Sequence, residues 1–138
     1  MWIAELWRYP VKSMGGERLE VTEVTDRGIV GDRVVHVSGP GGRIVTSRTH
    51  PRLLGLHGTL GPDGEPLVDH RPWSSRESAA AVRAAAGPAP DTQEQDLSVL
   101  RRIAAEFGGR MALDCGAVSG GRIAVGDPVE LMEGGEAA

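Results

Sequence analysis

Trp7-Arg8-Tyr9-Pro10-Val11-Lys12-Ser13-Met14-Gly15-Gly16-Glu17 sets a cation, a hydroxyl and two glycines directly after a short apolar segment. Residues 1–8 carry aromatic and β-branched side chains and read as a strand, which Pro10 ends or holds at a sheet edge. The proline makes the turn after it rigid, so Lys12 and Ser13 are aimed rather than free. Gly15 and Gly16 can then let backbone amides approach a bound group. This is the chemistry of an anion pocket at the end of a strand, for a phosphate for example. Taken alone, such a segment is more often a solvated loop.

Working outward, residues 19–25 alternate apolar and polar side chains with one phase break between Val21 and Val24, as a bulged or bent strand does. Turn signals at Arg27-Gly28 and Gly31-Asp32 enclose Ile29 and Val30. Short β-branched runs at 33–37 and 43–47 flank Gly39-Pro40-Gly41-Gly42, a hairpin turn. Residues 53–60, a turn at 61–64 and a short strand near Leu67-Val68 follow. Short strands at this spacing predict a barrel or sandwich. The period then changes. Ser74 and Glu77 have the spacing of a capping box before a helix over 79–86, which Gly87-Pro88 stops. A second helix is expected where Leu97, Leu100, Ile103, Ala104 and Phe107 fall on one face. Residues 111–118, 122–125 and 129–132 read as final strands, and 133–138 as a frayed tail. The expected fold is α+β and mostly β: a compact barrel, one domain over 1–132, with about two helices before the closing strands.

At 138 residues the chain can bury a core in one domain. Its net charge of -4 argues against general nucleic-acid binding, which needs a basic surface. A local basic pocket remains open, because Lys12 is the only lysine among 15 cations and arginine binds carboxylate and phosphate bidentately. A genome that favours arginine codons would leave the same bias. No apolar run reaches membrane-spanning length, and Glu5 and Arg8 interrupt the first apolar segment, so neither a membrane span nor a signal peptide is expected and the location is expected to be cytoplasmic.

Arg33, at the start of a strand after a tight turn, is a second candidate cation for the Lys12 pocket, with Asp32 able to pair with either. Thr46 and Arg48 can reach the same place, and Arg52 follows Pro51. The histidines His36, His50, His57 and His70 lack the helical spacing of a zinc site. Of these, His36 or His50 is the candidate for moving protons. Cys115 is the single cysteine, which excludes an internal disulfide and cysteine-based structural zinc. It reads as a core residue, with metal ligation the weaker alternative. No nucleophile elbow, Rossmann glycine pattern or P-loop is present.

Tyr9-Pro10-Val11-Lys12-Ser13-Met14, Gly28-Ile29-Val30-Gly31-Asp32-Arg33, Gly42-Arg43-Ile44-Val45-Thr46-Ser47-Arg48 and Pro51-Arg52-Leu53-Leu54 resemble the N-terminal β-barrel of MOSC proteins, the molybdenum cofactor sulfurase C-terminal domain proteins. Residues 121–131 resemble that family's closing strands, and Pro90-Asp91-Thr92 the segment before them. The resemblance implies that Lys12, Ser13 and Arg33 match positions contacting the phosphate and pterin of the molybdenum cofactor in amidoxime-reducing members, with Arg48 beside them. It also implies a gap. Family members carry a long central stretch holding the molybdenum-binding cysteine, and here only Pro88 and Ala89 stand in that place. Cys115 lies after the gap and does not match that cysteine. The chain thus resembles a truncated MOSC-like domain. Its expected role is to bind an anionic small molecule or cofactor through Lys12, Ser13, Arg33 and Arg48 without molybdenum. Alternatives are a molybdenum-dependent reductase of N-hydroxylated compounds, with Cys115 as an improvised ligand, and a non-catalytic partner or scaffold. Sheet edges left open by the gap predict a homodimer.

Overall fold

The computed structural model describes residues 1–87, 105 and 116–132. The expected second helix apart from Ala105, which is helical, residues 111–115 of the expected strand at 111–118 with Cys115, and the 133–138 tail lie outside the described residues. Within them the protein is mostly β with one helix. The order is β1 (Leu6–Arg8), β2 (Glu17–Leu19), β3 (Val21–Thr25), β4 (Gly28–Ile29), β5 (Val37–Ser38), β6 (Ile44–Val45), β7 (Gly58–Leu60), β8 (Pro66–Val68), β9 (Arg71–Pro72), α1 (Arg76–Ala85) and β10 (Gly121–Ala124).

The ladders are all antiparallel and form separate small sheets: β1 with β2, β10-β3-β4, β5 with β6, and β7-β8-β9. The expected single closed barrel is therefore not seen among the described residues. The strands are at most five residues long, too short for one sheet to wrap around, and isolated bridges join the ladders instead. Val11 bridges Val35, Gly15 bridges His57 and Trp2 bridges Pro128. The phase break between Val21 and Val24 falls inside β3, which pairs with β10 without a bulge, and Val21 faces outward there while Thr22 is buried. At Glu20 the chain leaves β2, paired with β1, and enters β3, paired with β10 and β4. The predicted strand at 1–8 shortens to β1, and 129–132 forms no strand.

The helix is capped one residue later than its sequence suggests. Ser75, not Ser74, is the N-cap and accepts from the Ser78 amide at 3.1 Å. Ser74 is drawn elsewhere, its hydroxyl donating to Glu65 Oε1 at 2.6 Å. The core is small. Val11, Met14, Val37, Leu53 and Val68 are buried, with Trp73, Val82, Ala85 and Ala86 packed against them from the α1 side.

A second anchor ties the sheets together by charge. Glu17 Oε1 accepts from Arg8 Nε at 2.8 Å and from the Leu60 amide at 3.0 Å, and lies 2.7 Å from Arg8 Nη2. One carboxylate oxygen thus joins β1, β2 and β7, with both side chains largely shielded from water. In that setting a charge-assisted hydrogen bond is stronger than on the surface.

Candidate functional site

Val11 and Met14 are 0% and 2% exposed. They pin the ends of a four-residue turn into the core, which leaves Lys12 and Ser13 to be presented outward between them. The backbone holds this turn against a second one. Tyr9 C=O accepts from the Arg33 amide at 2.7 Å, Pro10 C=O from the Val34 and Val35 amides at 3.0 and 3.2 Å, and Val35 C=O from the Lys12 amide at 3.0 Å. Asp32 Oδ1 closes the other end by accepting from the Tyr9 amide at 2.7 Å. Segments 9–12 and 32–35 are therefore zipped together, which brings Lys12 and Arg33 to one place.

A third loop completes the site. After β6 the chain turns through Thr46, whose carbonyl accepts from the Thr49 and His50 amides at 3.2 and 2.9 Å. Lys12, Ser13, Arg33 and Arg48 all line one open cleft of about 540 Å³. Tyr9, Met14, Thr46 and Ser47 line it with them. Cations from separate loops thus share a cleft with hydroxyls. Lys12 and Arg48 have no ion-pair partner among the described residues, and Arg33 has only Asp32 Oδ2 at 3.7 Å from its Nε. Asp32 thus pairs with Arg33, one of the two partners the sequence allowed.

Two of these residues hold unusual backbone. Ser13 has φ of 72° and Arg33 φ of 49°, the left-handed region that costs an L-residue about 1–2 kcal/mol. The packing of Val11 and Met14 and the zipper between the turns hold these angles. Backbone strain of this kind, observed first and interpreted second, clusters at binding and catalytic sites.

Several expected participants stand elsewhere. Arg52 sits in the 3₁₀ turn Pro51–Gly55 and does not line the cleft. His36 is exposed beside β5, and neither it nor His50 lines the cleft. His50 shares a hydrogen bond of 2.8 Å with Thr49 Oγ1 and faces a different cleft. The Gly15-Gly16 pair serves folding rather than ligand approach. The Gly15 amide donates to Leu56 C=O at 2.8 Å. A Cβ on Gly16 would lie 2.5 Å from Arg8 C=O and 2.6 Å from the Tyr9 ring. Tyr9 and Ser47 are cleft residues that sequence reading missed as such. For Tyr9 the available signal was its place directly before the rigid Pro10.

The cleft is lined by cations and hydroxyls. Its cations suit phosphate oxygens, so the phosphate-holding part of a molybdenum cofactor fits these residues. Among the described residues no thiolate lines the cleft. Met14, the sulfur residue lining the cleft, is a buried core thioether, and among the described residues no group of three or more His, Cys, Asp or Glu could hold a metal ion. Among the same residues no helix is long and apolar enough to cross a membrane. No curated protein matches the chain. The MOSC N-terminal beta barrel domain matches residues 1–106, the part that carries every strand from β1 to β9, helix α1 and all three loops of the cleft. The chain belongs to the family of that MOSC N-terminal β-barrel domain.

Proposed function

We propose that this MOSC-family protein is a reduced form of its family that binds an anionic small molecule or cofactor through Lys12, Ser13, Arg33 and Arg48, without requiring molybdenum. The observation that carries the reading is the convergence of these residues on one cleft whose cations lack strong internal counter-ions. Such cations bind a phosphate-like group by charge-assisted hydrogen bonds, with arginine able to fork two oxygens. Ser13, Thr46 and Ser47 supply hydroxyl donors that orient the group. If the cleft carries a reaction, its cations stabilise negative charge developing on the bound ligand. A cytoplasmic location belongs to the same reading.

Calorimetry with inorganic phosphate and phenyl phosphate tests it. Both should bind to the wild-type chain, and the double substitution Lys12→Ala with Arg33→Ala should abolish the signal. Unchanged binding removes the proposal. Self-association through open sheet edges is part of the reading as well, motivated by the separate short ladders. Sedimentation should show a dimer, and a purely monomeric protein at high concentration overturns that part.

A further inference from the structure

A second and larger cleft, of about 810 Å³, opens between the β5–β6 hairpin and α1. It shares no lining residue with the cationic cleft. Its walls are apolar, built by Val37 and Val45 from the hairpin and by Val82 and Ala86 at the end of the helix. A smaller cleft of about 310 Å³ adjoins it, sharing Val37, Val82 and Arg83, and extends the trough to the indole of Trp73. Such a volume is typical of small-molecule sites.

The charge on this trough has one sign. Arg43 and Arg83 line it, and among the described residues no acidic residue lines either part. Neither arginine has a carboxylate partner among the described residues. A bare inorganic anion would leave the valine walls unused, and a neutral hydrocarbon would leave the guanidinium groups unused. A molecule with an elongated apolar body and one anionic end uses both. Its body gains about 25 cal/mol for each Å² of apolar surface removed from water, and its carboxylate can be forked by a guanidinium. We infer that the trough between the β5–β6 hairpin and α1 is a second binding site, for a medium-chain carboxylate.

The test is calorimetric titration of the full chain with decanoate, kept below its micelle concentration, beside decanol and inorganic phosphate. Decanoate should bind once per chain and at least tenfold more tightly than decanol. Arg43→Gln with Arg83→Gln should weaken decanoate at least tenfold while circular dichroism stays that of the wild type. Lys12→Ala with Arg33→Ala should leave decanoate binding intact, so failure of the anion-cleft reading would not take this one with it. Each of four results overturns the inference: no decanoate binding, equal affinity for decanol, equal affinity in the folded double glutamine variant, or displacement by phosphate. A dimer whose formation blocks decanoate would assign the trough to a second copy of the chain and overturn it as well.

Discussion

Arg8 and Arg33 are 25 residues apart and carry the same charge, yet the fold treats them oppositely. Arg8 is shielded, lying 2.7 Å from Glu17 Oε1, and its neutralised charge joins three strands. Arg33 is held out by a left-handed backbone, its side chain 72% exposed and only 3.7 Å from its nearest carboxylate. The first arrangement serves stability and the second leaves charge available for a ligand. In a chain whose cations are nearly all arginine, the counter-ion rather than the residue type separates the structural position from the proposed binding position.

Glu17→Ala should break the structural side of this contrast most severely. It strands the Arg8 charge and the Leu60 amide, and should lower unfolding free energy by about 2–3 kcal/mol in urea titrations. Phosphate affinity of the protein that remains folded should not change. Glu17→Gln, which keeps an acceptor, should lose less.

Arg48→Ala should do the reverse. Phosphate affinity should fall about tenfold, or 1.4 kcal/mol, with stability within about 0.5 kcal/mol of wild type. A stability loss as large as that of Glu17→Ala would erase the distinction drawn here. Ser13→Gly sharpens it further, because relief of the left-handed backbone should stabilise the fold by about 1 kcal/mol while loss of the hydroxyl weakens phosphate binding. A destabilised Ser13→Gly protein would show that the strain is not borne by this residue.

The smallest effect is expected away from both regions. The β8–β9 hairpin turns through Asp69 and His70, with φ of 46° and 67°, the signature of a turn that prefers glycine at its second position. Asp69 also accepts from the His57 amide at 3.0 Å and should be kept. His70→Gly should raise the unfolding free energy by about 0.5–1 kcal/mol without affecting phosphate binding.

The sequence made local features plain and distant ones obscure. The hairpin around Gly39-Pro40-Gly41-Gly42 was legible because turn chemistry is written in adjacent residues, and β5 and β6 pair across it. The change of sheet at Glu20 was not legible, because the break in alternation between Val21 and Val24 lies inside the unbroken strand β3. Ser74 was misassigned as the cap because its competing partner, Glu65, is nine residues away. Lys12, Ser13, Arg33 and Arg48 were legible by residue type and family resemblance. What puts them together is backbone pairing between 9–12 and 32–35, which no side-chain pattern announces. Arg52 and His50 looked equally eligible by position, and the 3₁₀ turn and the Thr46–His50 turn carry them away from the cleft.

The zipper between the turns at 9–12 and 32–35 also divides the site into parts of unequal evolvability. An inserted or deleted residue in either zipped turn would slide one against the other and separate Lys12 from Arg33. The loop bearing Arg48 is closed locally, the Thr46 carbonyl accepting from the Thr49 and His50 amides. Changes of length should therefore be tolerated there first, and under the proposed function a protein with this architecture would change its anion preference by rebuilding one loop while its two-turn cradle stays as it is.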